Sequence, residues 1–362
     1  MTYRVIQWAT GNVGRSAIEG ILSHPELELA GVWVHSPEKV GRDAGEICGR
    51  APVGVSASDD VDALLALEAD CLLYSPLLPQ SSEVIRILEA GVNIVTPMGW
   101  FYPFHTAGHE DIQAACLQGG VTLHGTGIHP GGITERFPLM VSALSRDIRH
   151  VRAEEFSDIR AYRAKGVVRE VMLFGKTPGE AARSPMLDLL SGGFGQSIDM
   201  ISDTLGFALD PEKRKIHEMA VATRPIDTPV GVLEAGTVAA QRFTWQGLVR
   251  DEPVITVRVN WLMGQEHLDP PWSFGEEGER FEVEILGTPP VHLAFHGIHP
   301  PEPGVPLDPN PGIAATAMHC VNAIPATCAA APGIRSYLDL PLISGRADPN
   351  LALRPAATAS TR

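Results

Sequence analysis

The sequence predicts an α/β protein. Its N-terminal part is expected to form a doubly wound parallel sheet, and its C-terminal part an α+β domain built on a mixed or antiparallel sheet. Three observations predict this class. Short apolar segments alternate with amphipathic ones early in the chain, extended segments follow one another later, and a glycine-rich turn comes directly after the first apolar segment.

The N-terminal pattern is a strict alternation of strands and helices. Apolar runs typical of buried strands occur at 3–8, 27–34, 71–74, 93–96 and 121–124. Helical patterns lie near 13–23, 60–68, 82–90, 107–118 and 132–145. This βαβα order predicts a parallel sheet that is covered by helices on both faces.

The pattern changes after residue 149. Extended segments at 150–159, 254–261, 279–286 and 290–296 follow, and the period-2 alternation of Phe281, Val283 and Ile285 is typical of a half-buried strand. Strands without crossover helices favour an antiparallel or mixed sheet. Helices are predicted at 165–173, 194–206 and 311–330, and the apolar stripe of the last is expected to pack back on one of the domains.

A chain of 362 residues favours two domains rather than one. We predict a dinucleotide-binding domain over 1–148 and a substrate and dimerisation domain over 149–345. Residues 346–362 mix Ala, Pro, Ser and Thr without periodicity and are predicted to be a flexible tail.

The composition limits the class of protein. The chain is 44% hydrophobic and 20% charged, as in ordinary globular proteins. Its net charge of -15, without any Lys/Arg run, argues against nucleic-acid binding. Because there is no signal-peptide pattern and no apolar stretch of about 18 residues, we expect no membrane segment and a cytoplasmic, unprocessed protein. Five scattered cysteines without C-x-x-C spacing indicate free thiols.

The first turn, 7-QWATGNVGRSAIEG-20, has the pattern of a phosphate-binding loop. Gly11 stands where a diphosphate must approach the backbone, and Gly14 where helix and strand pack closely. Asn12 and Val13 would then lie along the phosphates at the helix N-terminus. Ala9 takes the place of the first glycine, which a small side chain tolerates if its φ stays negative. A Rossmann dinucleotide site is therefore predicted.

The end of the second strand predicts which dinucleotide is bound. An Asp or Glu at this place usually holds the 2'-hydroxyl of NAD, but here the strand ends in His35 and Ser36. Ser36 can donate to a 2'-phosphate, and Lys39 and Arg42 lie within reach of the same loop. NADP(H) is favoured, and NAD(H) remains an alternative.

Four segments, 7-QWATGNVGRSAIEGIL-22, 35-HSPEKVGRDAGEICG-49, 125-GTGIHPGGITERFP-138 and 322-NAIPATCAAAPGI-334, resemble the dihydrodipicolinate reductase-like family. Within it they resemble the branch of 2,4-diaminopentanoate dehydrogenase and the native amine dehydrogenases. The resemblance implies a Rossmann domain, a C-terminal domain that covers the nicotinamide, a homodimer, and reversible hydride transfer between NAD(P)H and a C=N or C=O carbon. It also implies that Pro130 and Gly131 lie near the nicotinamide.

The sequence departs from this family in two places. It has no H-H-x-x-K segment of the kind that protonates and orients dihydrodipicolinate, so that biosynthetic reaction is not expected. The amine dehydrogenases place a catalytic glutamate in the loop after the fifth strand. Here that loop, 96-TPMGWFYPFHTAGHE-110, has no acid before Glu110.

The proton donor is therefore sought among other residues at the carboxyl ends of the strands, where open α/β sheets bind ligands. Tyr102, His105 and His129 are the catalytic candidates, because histidine titrates near neutral pH and tyrosine can donate as a phenol. Further cofactor contacts are expected from the ends of the strands or the loops after them, at Ser75, Thr96, Gly127 and Pro130.

Four residues are predicted to line the substrate pocket: Trp100, Phe101, Asp158 and Tyr162. Strand alternation would place Glu154 and Asp158 on one face and Glu155 on the other. His105 and His109 have i, i+4 spacing, but Pro103 and Gly108 argue against the helix that a metal site would need. No metal is predicted, and His292, His296 and His299 are interpreted as surface residues.

Three hypotheses follow from these residues. The first is an NADP(H)-dependent oxidoreductase that acts on a small to medium, partly hydrophobic carbonyl or imine. The second is an amine dehydrogenase with a replaced catalytic acid. The third is a non-catalytic sensor that binds NADP(H).

Overall fold

The computed structural model describes residues 2–348, 350 and 351 of the chain. Within these residues the strands form two sheets of seven strands each. The strands are β1 (Tyr3–Trp8), β2 (Leu27–Trp33), β3 (Ala57–Ser58), β4 (Cys71–Tyr74), β5 (Asn93–Thr96), β6 (Thr122–Gly125), β7 (Arg146–Asp158), β8 (Arg214–Ala222), β9 (Val238–Val249), β10 (Glu252–Leu262), β11 (Leu268–Asp269), β12 (Arg280–Thr288), β13 (Val291–Phe295) and β14 (Gly333–Ile334).

The α-helices lie mostly between the strands of the first sheet. They are α1 (Asn12–Ser23), α2 (Ala44–Ile47), α3 (Val61–Leu65), α4 (Ser81–Glu89), α5 (His109–Gly119), α6 (Phe137–Ser142), α7 (Pro178–Ala182), α8 (Met186–Leu205) and α9 (Pro311–Cys328). None of them, in the part of the chain that the structure describes, is both long and apolar enough to cross a membrane.

The first sheet has the order β14-β6-β5-β4-β1-β2-β3, and its pairings are parallel. Apolar side chains of its strands pack into a separate buried cluster on each face. Burial on both faces is what a parallel sheet with crossover helices requires. The predicted doubly wound sheet is confirmed.

The second sheet has the order β11-β8-β9-β10-β7-β12-β13. β10 pairs with β7 in parallel, and the other pairs are antiparallel. The predicted mixed sheet is confirmed, although β8 and β9 were not predicted. β8 is mostly exposed over its first half, so it lacks the apolar alternation that marks a strand.

Helix α9 returns the chain to the first sheet. Its residues Ala317, Cys320 and Ile324 belong to the buried cluster that also contains Ile18 and Ile21 of α1. The approach is close, because a Cβ at Gly20 would lie 2.0 Å from the Cε of Met318. The helix therefore packs against the parallel sheet, as expected. The domain bounds 1–148 and 149–345 stay predictions; β7 begins at Arg146, shortly before the second of them.

Three predicted helices differ from those observed. The segment predicted at 132–145 is a π-helical turn, Gly132–Arg136, followed by α6, and the segment at 165–173 contains a π-helical turn, Val167–Val171. Helix α8 begins at Met186 rather than near 194, because glycines at 192 and 193 weaken the helical pattern there. Of the predicted tail 346–362, residues 349 and 352–362 lie outside the described residues.

Candidate functional site

The turn between β1 and α1 forms an open cradle. A Cβ at Gly11 would meet no heavy atom within 4 Å, whereas one at Gly14 would lie 2.1 Å from the carbonyl oxygen of Ala9. No side chain caps α1, so the backbone N–H groups of its first turn are available to an anion. Both glycines therefore stand where the predicted loop needs them.

Ala9 differs from the expectation that its φ would stay negative. Its φ is 72°, in the left-handed region. This conformation places the Ala9 carbonyl against Gly14, where it accepts a 3.0 Å hydrogen bond from Nε2 of the buried Gln7. The same amide donates to Ser75 Oγ at 2.9 Å. The Gln7 side chain thus links the phosphate loop to the end of β4, a role that was not predicted from the sequence.

Of the residues predicted to select the dinucleotide, Lys39 contacts this loop. Lys39 Nζ donates to Thr10 Oγ1 at 3.1 Å, so its ammonium group lies beside the cradle. Ser36 is half-buried and precedes the 3-10 turn Pro37–Lys39. His35 and Arg42 are exposed.

The other predicted cofactor contacts lie at the carboxyl ends of neighbouring strands. Ser75 Oγ donates to the Trp8 carbonyl at 3.1 Å, and Thr96 Oγ1 donates to the Tyr74 carbonyl at 2.8 Å. Gly127 and Pro130 belong to the turn after β6. That turn is tight, because a Cβ at Gly131 would lie 2.2 Å from the Gly127 carbonyl oxygen.

The turn is supported from behind by Glu135, which is fully buried. Its carboxyl group accepts hydrogen bonds from Ser197 Oγ of α8 and from Thr134 Oγ1 at 2.7 Å, and Thr134 Oγ1 in turn accepts from the Gly131 N–H. Burial raises the pKa of Glu135 to about 7. This acid was not singled out in the sequence.

A cavity of about 280 Å³ opens between the two sheets, beside the phosphate loop. It is bounded by the turn after β6, by the ends of β7, β10 and β12, by the π-helical turn Val167–Val171 and by the N-terminus of α9. Its lining residues are Val13, Ile128, His129, Glu155, Ser157, Asp158, Tyr162, Val167, Val171, Met172, Trp261, Glu279, Phe281, Ile298, His299, Pro300, Asn310, Gly312, Ile313 and Thr316.

His129 and Glu155 form the polar centre of this cavity. His129 Nδ1 lies 2.7 Å from Glu155 Oε2, and the His129 side chain is only 2% exposed. Its other nitrogen, Nε2, has no hydrogen-bond partner among the described residues. The ring packs edge-on against Phe194 and Phe281, so its orientation is fixed by both polar and apolar contacts.

Glu155 is held as a carboxylate. Its Oε1 accepts from Ser157 Oγ at 2.7 Å and from Trp261 Nε1 at 3.0 Å. Burial alone would raise the pKa of Glu155, but the contacts with His129, Ser157 and Trp261 outweigh it and lower the pKa below its ordinary value. The carboxylate of Glu155 therefore faces Nδ1 of His129, and Nε2 is the ring nitrogen that has no partner among the described residues.

The structure brings together His129, Asp158 and Tyr162 in this cavity. Burial raises the pKa of the Tyr162 phenol. The expectation that strand alternation separates Glu155 from Asp158 is wrong. Asp158 ends β7 and caps the 3-10 turn Ile159–Ala161, so the alternation stops before it and both acids line the cavity. His299 also lines it, and the interpretation of His299 as a surface residue is wrong; its Nε2 lies 2.9 Å from Ser157 Oγ.

Tyr102 and His105 lie elsewhere, at the contact between the 96–106 loop and α8. Tyr102 OH donates to Asp203 Oδ2 at 2.9 Å, and His105 Nε2 lies 2.8 Å from the same oxygen. Burial, with help from Asp203, raises the pKa of Tyr102 to about 12. Neither side chain is among the residues that line the cavity.

Trp100 and Phe101 are likewise absent from the cavity lining. Trp100 packs against a buried cluster of the parallel sheet, and Phe101 is buried where Gly193 of α8 approaches it. Within the described residues, no group of three or more His, Cys, Asp or Glu side chains is arranged to hold a metal ion.

Comparison with known proteins finds two family models along the chain. Residues 133–350 match the 2,4-diaminopentanoate dehydrogenase C-terminal domain, and residues 5–78 match the dihydrodipicolinate reductase N-terminus. An amine dehydrogenase of Streptomyces virginiae is 30% identical over 93% of this chain and 96% of its own length. A 2,4-diaminopentanoate dehydrogenase of Acetoanaerobium sticklandii is 25% identical over 94% of this chain and 93% of its own.

A solved structure shares the whole fold. The amine dehydrogenase from Mycobacterium smegmatis superposes with a TM-score of 0.76 over 96% of this chain and 98% of its own, at 21% sequence identity. Together with the family models, this confirms the resemblance inferred from the four sequence segments.

Proposed function

The chain belongs to the 2,4-diaminopentanoate dehydrogenase family, and from this premise we propose that the cavity between its two sheets is the active site. The protein is an NAD(P)-dependent oxidoreductase that transfers a hydride to or from a carbonyl or imine carbon. The observation that supports the site assignment is the contact between two side chains that line the cavity: His129 Nδ1 lies 2.7 Å from Glu155 Oε2, and the buried Nε2 of His129 has no hydrogen-bond partner among the described residues.

The phosphate loop fits a dinucleotide, because the space over Gly11 is open and α1 has no side-chain cap. Asn12, Val13 and Gly14 would offer their backbone N–H groups to the diphosphate. Ser75, Thr96, Gly127 and Pro130 stand at the strand ends that lead towards the cavity. The nicotinamide cofactor accepts or supplies the hydride when it is bound.

The proton that accompanies the hydride is assigned to His129. Glu155 holds the Nδ1 proton and stabilises the imidazolium, so that Nε2 can take a proton from the substrate or return one to it. The side chains of Phe194 and Phe281 pack against the ring and exclude water from it. In this proposal Tyr102 and His105 instead hold the 96–106 loop against α8 through Asp203.

The cavity also contains acids that could replace the catalytic glutamate that the 96–110 loop lacks. Glu155, Asp158 and Glu279 all line it, and all three come from strands of the mixed sheet or their ends. A replaced catalytic acid from this sheet supports reductive amination of a carbonyl, or the reverse oxidation of an amine, as the specific reaction.

We further propose that the cofactor is NADP(H). Lys39 lies beside the phosphate loop, and the end of β2 offers Ser36 rather than an acid. A 2'-phosphate would gain a cationic partner there, whereas the 2'-hydroxyl of NAD would find no carboxylate.

A homodimer is proposed as the working form, since the resemblance implies one. The candidate face lies on the mixed sheet opposite α8, where Arg152 and Arg258 are partly exposed above the buried Glu154. Light scattering of the purified protein tests this, and a monomer at working concentration would contradict it.

The proposed function is tested by oxidation of NADPH with a panel of aldehydes and ketones, with and without ammonia. Turnover that depends on the carbonyl is expected, and ammonia is expected to raise it. Tight cofactor binding without turnover across the panel would contradict the proposal and would favour the alternative of a non-catalytic NADP(H) sensor.

A further inference from the structure

A second histidine of the cavity, His299, is connected to His129 by a series of hydrogen bonds. His299 lies in the loop after β13, and its Nε2 is 2.9 Å from Ser157 Oγ. Ser157 Oγ donates a hydrogen bond of 2.7 Å to Glu155 Oε1, and Glu155 Oε2 lies 2.7 Å from His129 Nδ1. These residues all line the same cavity. The series therefore runs from the loop after β13 to the turn after β6.

The direction of each hydrogen bond follows from the protons that are available. A serine hydroxyl has one hydrogen to donate, and a carboxylate can only accept. Ser157 gives its hydrogen to Glu155, whose pKa is lowered by its donors so that it stays a carboxylate. Ser157 Oγ must therefore accept the bond from His299, which places a proton on His299 Nε2.

The surroundings of His299 favour the neutral ring that this order requires. Burial lowers the pKa of His299 and the nearby His296 adds to the fall, while Glu155 opposes it. The Nδ1 atom of His299 is buried and has no hydrogen-bond partner among the described residues. A proton on Nδ1 would have no acceptor there, so the neutral form protonated on Nε2 is the better fit.

The ring of His299 is also held by Phe281. The two rings are stacked, with centroids 4.9 Å apart and planes 22° from parallel. The same Phe281 ring packs edge-on against His129 at 5.5 Å. A change at His299 can therefore reach His129 by a polar route, through Ser157 and Glu155, and by an apolar route, through Phe281.

The polar route controls where the Ser157 hydroxyl points. A hydroxyl hydrogen rotates to suit its partners, and a donor on its oxygen limits that rotation. Without His299, Ser157 would direct its hydrogen at Glu155 for only part of the time. Trp261 Nε1, at 3.0 Å, would then be the remaining donor to Glu155 Oε1, and the carboxylate that faces His129 would be less well fixed.

We propose that His299 is a positioning residue for the proton transfer: it donates to Ser157 and so keeps the Ser157 hydroxyl directed at Glu155, the partner of His129. This inference rests on the proposed function, because it concerns the reaction assigned to His129. No proton passes along the series. His299 acts only through the orientation of Ser157 and the charge of Glu155.

The test separates the donor of His299 from its aromatic ring. His299→Phe keeps a ring that can stack on Phe281 but removes the Nε2 donor. His299→Gln removes the ring and keeps an amide N–H of similar reach. Ser157→Ala removes the hydroxyl, and the double variant Ser157→Ala/His299→Phe removes both groups. His296→Gln is the matched control, because His296 is exposed and belongs to the same loop.

The first measurement is kcat for a carbonyl with ammonia and NADPH, alongside the thermal midpoint of each full-length variant. His299→Phe should lower kcat by roughly 3- to 10-fold, as for loss of one hydrogen bond between neutral groups, and His299→Gln should stay within roughly 2-fold of the wild type. Ser157→Ala should lower kcat at least as much as His299→Phe does. Adding His299→Phe to Ser157→Ala should change kcat by less than roughly 2-fold, because the route through Ser157 is already gone. His296→Gln should behave as the wild type does.

The second measurement does not depend on turnover. Nitrogen-15 NMR of the full chain labelled at histidine reports which ring nitrogen carries the proton, and His299→Phe assigns the signals by removing them. A neutral His299 that is protonated on Nε2 is expected near pH 7.

Three results would overturn the inference: a His299 that is charged or protonated on Nδ1, an equal loss of kcat in His299→Phe and His299→Gln, or losses that multiply in the double variant. Each of them, with turnover by the wild type, would leave the proposed function standing. A wild type that binds NADPH but turns over no carbonyl or amine would instead overturn the proposed function, and the role of His299 in that reaction with it.

Discussion

Replacing Glu155 by glutamine tests the centre of the proposed site. The change keeps the size of the side chain but removes its charge and one of its two acceptor oxygens. In the wild type, Glu155 Oε2 lies 2.7 Å from His129 Nδ1, and Oε1 accepts hydrogen bonds from Ser157 Oγ at 2.7 Å and from Trp261 Nε1 at 3.0 Å. If the amide oxygen of the glutamine keeps the hydrogen bonds from Ser157 and Trp261, its amide nitrogen faces His129. That nitrogen can only donate a hydrogen bond to Nδ1.

That arrangement moves the imidazole proton to Nε2 and removes the carboxylate that stabilises the imidazolium. Loss of general acid–base catalysis typically lowers kcat by about 10²- to 10⁴-fold, or about 3 to 5 kcal/mol of activation free energy. The free energy of unfolding should fall by about 1 to 3 kcal/mol, since a charge-assisted bond is lost in a buried position. Cofactor affinity should be largely kept, because the side-chain hydrogen bonds of Glu155 go to His129, Ser157 and Trp261 and not to the phosphate loop.

The assay compares kcat for carbonyl and ammonia with the cofactor Kd and the thermal midpoint. Glu154→Gln is the matched control: Glu154 is 3% exposed and Glu155 8%, but Glu154 contacts Arg152, Arg258 and Asn260 on the opposite face of the sheet. Glu154→Gln should lose stability and keep kcat. The reasoning is refuted if both variants lose kcat in proportion to their stability, or if Glu155→Gln retains wild-type kcat.

Three further outcomes are expected. Gly14→Ala should abolish detectable NADPH binding in a fluorescence titration, because its Cβ would lie 2.1 Å from the Ala9 carbonyl oxygen; normal binding would show that the loop is not the cradle. Lys39→Ala should weaken NADPH binding by roughly 10-fold or more through loss of a charged partner and leave NADH binding unchanged; an equal effect on both would remove Lys39 from the 2'-phosphate site. Glu135→Gln should gain stability relative to the wild type as pH rises from 4.5 to 7. The folded-state pKa of Glu135 is raised from 4.5 to about 7, so in this window the unfolded state releases the proton first and the wild type loses about 3 kcal/mol. Urea unfolding of both proteins across this range measures the difference, and parallel curves would contradict it.

The parts of the fold that could be predicted are those specified locally. Alternating apolar and amphipathic segments fix the parallel sheet, and the glycines at 11 and 14 mark the turn between β1 and α1 because each answers a steric need within a few residues. The φ of Ala9 was missed for a physical reason. The Ala9 carbonyl accepts a hydrogen bond from the side chain of Gln7, which lies in a strand and gives no turn signal.

The cavity could be predicted only in part, because it joins segments far apart in the chain. His129 was identified from its position after a strand, and Asp158 as an acid on the predicted strand 150–159. The contact of His129 with Glu155 spans 26 positions and joins the turn after β6 to β7 of the other sheet. Glu279 meets Asp158 across 121 positions. The only sequence signal for Glu155 was the pair of glutamates in 150-HVRAEEFSDI-159, and alternation could not show which of the two faces the cleft.

The most direct measurement of the central claim follows the hydride itself. Alkyl amines carrying deuterium on the carbon bonded to nitrogen are incubated with the protein and oxidised cofactor, and the reduced cofactor is analysed by mass spectrometry. The account predicts a reduced nicotinamide that carries the deuterium in the wild type, and a strongly diminished rate of labelling in Glu155→Gln. Bound cofactor that stays oxidised with every amine, or becomes reduced without the label, would contradict it.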